Sequence, residues 1–334
     1  MKFRLHIYKF LCVLLLFILL YPNFNSMAAI RKIEYREWKD CYEISNNKIK
    51  VIINGTSGGR IMALGRYGSN IIWEDSTIDG KLYKDFLKDT FHVDAGRFDL
   101  GPEKITDPIH AKPWAGYWDA KIIDDFTLEL SCLDEYGLGL ELIRRFTLST
   151  DSSKISIYQS MKNISDEEKS YWFWNRTLLK VGGIAFSPVH PKSKFPDKWN
   201  RYIWGDKIQI VSDPNDDGVQ IKDSLFVLNS KLAENSKYGT DGAGGWMAYY
   251  YKDILFLKRF PHYANKLYGE DGGHTNIYYV SNKGEKQFIE IEPVSPVYKM
   301  QPAEKAEFEQ EWLLLDIGEN IQLKDLVSKI KHEL

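Results

Sequence analysis

From residue 126 onward the chain alternates apolar and polar side chains over long stretches, the period-two signature of strands with one buried face. Phe126, Leu128, Leu130 and Cys132 fall on one side, and Thr127, Glu129 and Ser131 on the other. After a turn at Asp134-Glu135-Tyr136-Gly137 the pattern resumes from Leu140 to Leu148, then from Lys154 to Met161 and from Ser170 to Leu179. Strands joined by such short turns predict antiparallel meanders. Helical patterning is confined to two short stretches, Tyr83 to Lys88 and Leu323 to Ile330. No repeat, proline-rich linker or block of like charge divides the molecule. The expectation is one all-β domain over residues 29–334, a large antiparallel β-sandwich with a short C-terminal helix, and with long loops at 95–120 and 187–245.

The first residues follow a different pattern. Lys2, Arg4 and Lys9 precede an unbroken apolar run from Leu11 to Leu20, followed by small residues around Ser26-Met27-Ala28. This is the order of a secretory signal peptide, here 1–28, and it predicts export to the periplasm or the medium. The run is about half the ~20 residues a membrane span needs, so no stable membrane anchor is expected. Losing the three basic residues of the leader takes the formal charge from −2 to −5. A mildly acidic chain lacks the clustered cations that nucleic-acid binding requires. Cys41 and Cys132 remain, as one bridge or as two separately buried thiols. Aromatic residues make up 14% of the chain, which suits both sandwich cores and stacking on the apolar faces of sugar rings. Oligomeric state leaves no mark in the sequence.

The segment Gly272 to Pro296 carries the densest chemistry. Two strands, from His274 to Val280 and from Glu285 to Pro293, flank Asn282-Lys283-Gly284, which suits a three-residue hairpin with Gly284 left-handed. That loop pairs Ser281 with Glu285, and so sets Tyr278 opposite Phe288, Asn276 opposite Glu290 and His274 opposite Glu292 on one face. Ile277, Tyr279, Ile289 and Ile291 take the other face, as core. Opposed residues lie about 4.5–5.5 Å apart at Cβ, close enough to couple ionisation or hold a small ligand. A solvated outer face is the plain alternative. Gly272, Gly273, Pro293 and Pro296, which end the ladder, favour the rim of a cleft.

A second polar cluster, His92, Asp94, Arg97, Asp99 and Glu103, offers Arg97 either as an anchor for a ring oxygen, hydroxyl or carboxylate or, equally simply, as a partner of Asp94 or Asp99 that pins the loop. Trp114 and Trp118 follow in the same loop as candidate stacking residues. In a third cluster, Trp172, Trp174 and Arg176 alternate with Phe173 and Asn175, so one face can line the cleft while the other is core. Asp213, Asn215, Asp217 and Gly218 match the opening of a calcium loop, but Ser224 stands where a bidentate Glu is needed, and an Asx-rich turn is the default. The glycines from Gly239 to Gly245 lack phosphate-cradling spacing and read as a mobile loop. With no nucleophile elbow, metal-binding His pair or cysteine cluster, no metal or cofactor is expected.

GGRIMALGRYGSNIIWED (Gly58 to Asp75), DAGRFDLGPE (Asp94 to Glu103), and FIEIEPVSP with AEFEQEWLLLD (Phe288 to Asp316) resemble the galactose mutarotase-like superfamily, nearer its poorly characterised bacterial members than the aldose 1-epimerases. The resemblance spans nearly the whole mature chain and implies a β-supersandwich with a sugar cleft. In the epimerases a His acts as acid on the ring oxygen while a Glu takes the anomeric hydroxyl proton. Glu292 matches that Glu. Where the family carries its acid, this chain has Trp174, Asn175 and Arg176, and His274 stands as the replacement from another strand. The expected function is therefore an exported protein that binds a sugar or oligosaccharide, with epimerase-like ring opening. Glu292 and His274 are its catalytic pair, and Arg97, Asp99, Glu103, Trp114, Trp118, Trp174, Asn175, Arg176 and Glu290 bind the substrate. The alternative is a non-catalytic carbohydrate-binding or accessory module of glycan degradation.

Overall fold

The computed structural model describes residues 29–103, 110–203, 209–211, 216–233, 235–269, 272–281 and 286–334. The segment 1–28, expected to be a signal peptide, the expected hairpin loop at Asn282-Lys283-Gly284, and Asp213 and Asn215 of the calcium-like stretch lie outside these residues. Among the described residues no helix is long and apolar enough to cross a membrane.

The protein is an antiparallel β-sandwich. One layer is a ten-stranded sheet that contains the meander Thr127–Asp134, Leu140–Leu148 and Lys154–Asn163, close to where the alternation places it. The other is a six-stranded sheet with strand order Thr177–Leu179, Gln287–Pro293, Thr275–Ser281, Ser236–Thr240, Asn200–Ile203 and Gln209–Val211. A four-stranded meander over residues 29–65 extends this layer through single bridges from Gly96 to Ile61 and to Thr177. The main core lies between the layers, where Phe256, Trp312, Tyr249 and Met247 from one meet Tyr238, Ile277, Ile289 and Ile291 from the other.

Period-two alternation decides what each layer does with its second face. Along Ile254–Arg259, Phe256 and Lys258 point inward, while Leu255 and Leu257 point out. The C-terminal helix Leu323–Glu333 covers that outer strip with Leu326 and Ile330. Burying two such side chains is worth about 1.5–3 kcal/mol each. The other short helix, Tyr83–Lys88, forms where the pattern places it.

Three expectations need correction. Residues 187–245 are not mainly loop: they hold the strands Asn200–Ile203, Gln209–Val211, Val219–Lys222, Leu225–Asn229 and Ser236–Thr240. These strands are short and carry too few residues for alternation to register. Gly239, read as part of a mobile loop, sits inside Ser236–Thr240. The run Ser170 to Leu179 is two strands, not one. Lys169–Trp174 pairs with Asp99–Gly101, whereas Thr177–Leu179 pairs with Gln287–Pro293, so the chain changes sheet at Asn175 and Arg176. Cys41 and Cys132 are separate buried thiols, and burial pushes each up to about 12.

Candidate functional site

The hairpin of Thr275–Ser281 and Gln287–Pro293 forms with the expected faces but a register two residues away. Asn276 pairs with Glu292, Tyr278 with Glu290, Val280 with Phe288, and Ser281 with Gln287. A shift of two preserves every side chain's face, because the side-chain period is two. It does change the neighbours. His274 moves opposite Val294, roughly 7 Å along the strand from the position facing Glu292. Its imidazole stacks on Tyr268 at 3.8 Å between centroids, and its Nδ1 lies 3.0 Å from the Gly242 carbonyl. Burial lowers it to about 4. The expected side-by-side pair of His274 and Glu292 is therefore not formed.

What surrounds Glu292 instead comes from three strands. It is 1% exposed, accepts a hydrogen bond from Trp174 Nε1 at 2.8 Å, and pairs with Lys237 Nζ at 3.4 Å. Lys237 lies in the segment whose sequence reads as loop, and an isolated lysine carries no motif. Glu290, two residues before on the same face, lies 3.4 Å from Arg97 Nη2. Burial raises its carboxyl to about 8, with the charge of Glu292 adding to the effect against Arg97 and Arg176.

The change of sheet at residue 175 aims Arg176 into the same place. Its Nε meets Asp99 at 2.5 Å and its Nη1 meets Glu103 at 2.7 Å. Burial opposes ionisation of Glu103, but the charge and hydrogen bond of Arg176 outweigh it and hold that carboxyl at about 2. Arg97 Nε stands 3.4 Å from Asp99. Arg97, Asp99, Glu103, Arg176 and Glu290, expected together from three separate clusters with Trp174 and Glu292, thus form one largely buried ion network, and the Trp174 indole, under Arg176 and hydrogen-bonded to Glu292, joins the remaining carboxyl to it. His92 is exposed beside it, within electrostatic reach of Arg97, Glu103 and Arg176.

Of the two tryptophans expected to stack on a ligand, Trp118 lies in the core and Trp114 packs against cations of the site. Trp118 is fully buried, with the Arg144 guanidinium 3.8 Å from its ring centroid and its Nε1 on the Pro113 carbonyl, so it belongs to the core. Trp114 reaches the site, but His110 stacks on it at 5.6 Å, and Arg97 and Arg176 lie 5.3 and 5.2 Å from its centroid. Trp174 has Arg176 and Lys237 each at 4.2 Å. These indoles hold the cations in place. The half-buried aromatics on the polar side are Trp73, Tyr278 and Phe288, with Phe288 4.8 Å from Trp73 and 5.9 Å from Tyr278. Asn175 is fully buried, and neither amide atom has a partner.

On the opposite side of the same sheet, Lys258 is fully buried between the layers. Its ammonium reaches Thr177 Oγ1 at 2.6 Å, the Ile291 carbonyl at 3.0 Å and the Asn175 carbonyl at 3.3 Å. Burial holds its titration well below the usual range for lysine. Among the described residues no group of three metal-binding side chains occurs.

The architecture is that of the galactose mutarotase-like proteins. Solved structures share the fold at low identity. A galactose mutarotase-like protein from Lactobacillus casei matches with a TM-score of 0.59 and 11% identity, over 82% of this chain and 100% of that one. The galactose mutarotase related enzyme from Lactobacillus acidophilus gives 0.55 and 12%, over 85% and 100%. A galactose mutarotase-like protein from Clostridium acetobutylicum gives 0.55 and 12%, over 88% and 100%. No family model and no curated protein matches the chain by sequence.

Proposed function

We propose that this chain is an exported sugar-binding protein that opens and recloses a pyranose ring over Glu290 and Glu292. The observation that carries the reading is a pair of buried carboxyls on one strand face in unlike surroundings. Glu292 faces Lys237 Nζ and accepts from Trp174 Nε1. Glu290 is pushed toward its protonated form. Two carboxyls side by side in unlike surroundings can divide the roles of base and acid. Glu292 takes the proton of the anomeric hydroxyl and Glu290 gives one to the ring oxygen. The C1–O5 bond breaks as the C1 carbonyl forms, and reclosure from the other face after rotation about C1–C2 returns both protons. In this scheme Glu290 takes the acid role expected of His274. The fold of the mutarotase-like neighbours supports a sugar as ligand, and the order of the N-terminal residues supports export.

The direct test is anomer exchange followed by NMR on a panel of aldoses and uronic acids. Exchange accelerated by the wild type is the expected result, and neither exchange nor binding on the whole panel would refute the reading. Saturable binding without exchange would establish the second reading, a non-catalytic module. That reading draws on the ion pairs that already engage Arg97, Arg176 and Lys237. Export predicts that the mature protein begins near Ala29, which amino-terminal sequencing of extracytoplasmic material checks.

The raised titration of Glu290 has its own consequence for stability. An acid whose folded value lies above its unfolded one contributes stability that is complete below about 4.5 and lost as pH rises to about 8. Glu290→Gln is expected to flatten that decline by on the order of 4 kcal/mol, read as the difference between denaturant melts at pH 5 and above pH 8.

A further inference from the structure

Across the six-stranded sheet, the row that contains Glu292 continues through Asn276 and Gly239 to Asn200, each directly opposite the next. Residues in such a row share one face, so both asparagines stand on the side of Glu292. Asn276 is 0% and Asn200 2% exposed, yet Nδ2 and Oδ1 of both amides have no hydrogen-bond partner. Buried amides without partners are costly and rare. Between them Gly239 leaves a gap. A Cβ there would stand 2.6 Å from Asn200 Oδ1 and 2.7 Å from Asn276 Oδ1, so only glycine keeps the space between the two amides open.

The geometry points to a binding subsite at Asn200, Gly239 and Asn276 that takes a pair of neighbouring sugar hydroxyls beside Glu292. It rests on the sugar reading above. Each amide both donates and accepts, as does each hydroxyl, so two adjacent hydroxyls can satisfy both asparagines at once. A carboxylate or phosphate, which only accepts, would leave amide oxygens unpaired. It would also approach Glu292 across the row. The nearby cations already face carboxylates, Arg176 with Asp99 and Glu103, and Lys237 with Glu292.

The experiment measures dissociation constants by calorimetry for an aldose that binds the wild type and for each of its monodeoxy analogues. Asn276→Leu is expected to weaken the parent sugar roughly 10- to 100-fold and to leave one monodeoxy analogue unaffected, because a site built to bond a hydroxyl rejects the analogue that lacks it. Its melting temperature should stay level or rise, since an unpartnered amide has been removed. Asn200→Leu should behave alike, and Gly239→Ala should abolish binding. Equal weakening of the parent and every analogue, or unchanged binding in both leucine variants, would overturn the subsite and identify the amides as a seat for buried water. A drop in melting temperature with binding intact would do the same. If no aldose binds the wild type, the sugar reading itself fails and the subsite falls with it.

Discussion

Glu292→Gln is expected to slow anomer exchange by roughly 10²–10⁴-fold, the usual worth of a positioned base, while sugar affinity changes only a few-fold. The amide keeps an acceptor for Trp174 Nε1 but cannot take a proton, and it removes the charge of Glu292 from the ion pair with Lys237. Folding stability should therefore fall by about 1–3 kcal/mol as well. NMR exchange rates at saturating sugar separate the two effects, since a variant that folds, binds and fails to exchange has lost chemistry alone. Exchange at the wild-type rate would rule out Glu292 as the base.

The second large effect is expected at Arg176. Replacing it with methionine removes the partner of Asp99 and of Glu103 together, and a buried ion network broken on one side loses about 3–5 kcal/mol. Glu103 keeps about a third of its side chain exposed, so the lower end of that range is the better expectation. The sign of the pH dependence follows from the depressed carboxyl. Glu103 contributes stability above about 4.5 that is lost as pH falls toward 2. Chemical denaturation from pH 7 down to 3 should show this acid sensitivity in the wild type and much less of it in Arg176→Met.

The meander over 127–163 was legible because each strand is long enough for alternation to assign its faces. The hairpin carrying Glu290 and Glu292 was legible in the same way, and Ile277, Tyr279, Ile289 and Ile291 are core as the pattern requires. Its register was not, because a slip of two leaves the pattern unchanged and only the turn length tells the two apart. His274 was lost as a partner of Glu292 for that reason alone, and Asn276 took its place. Arg97, Asp99, Glu103 and Arg176 were recognisable as polar clusters in otherwise apolar surroundings. Their convergence depends on a change of sheet at residue 175 that no local pattern announces. Trp118 shows the opposite failure: an indole in a polar loop suggested a ligand surface, and a buried arginine occupies its face. Lys237, Asn200 and Gly239 were hidden because their strands are four or five residues long.

The ammonium of Lys258 lies under the site, and its three acceptors are not arbitrary. Asn175 and Thr177 flank Arg176, and Ile291 separates Glu290 from Glu292. One side chain from the far layer therefore tethers the backbone on either side of the arginine and between both glutamates. The spacing between the guanidinium and the carboxyls is in this way tied to the position of the strand Ile254–Arg259, whose outer face bears the C-terminal helix. Substitutions under that helix that move the strand therefore bear, through this one ammonium, on the backbone that carries Arg176, Glu290 and Glu292.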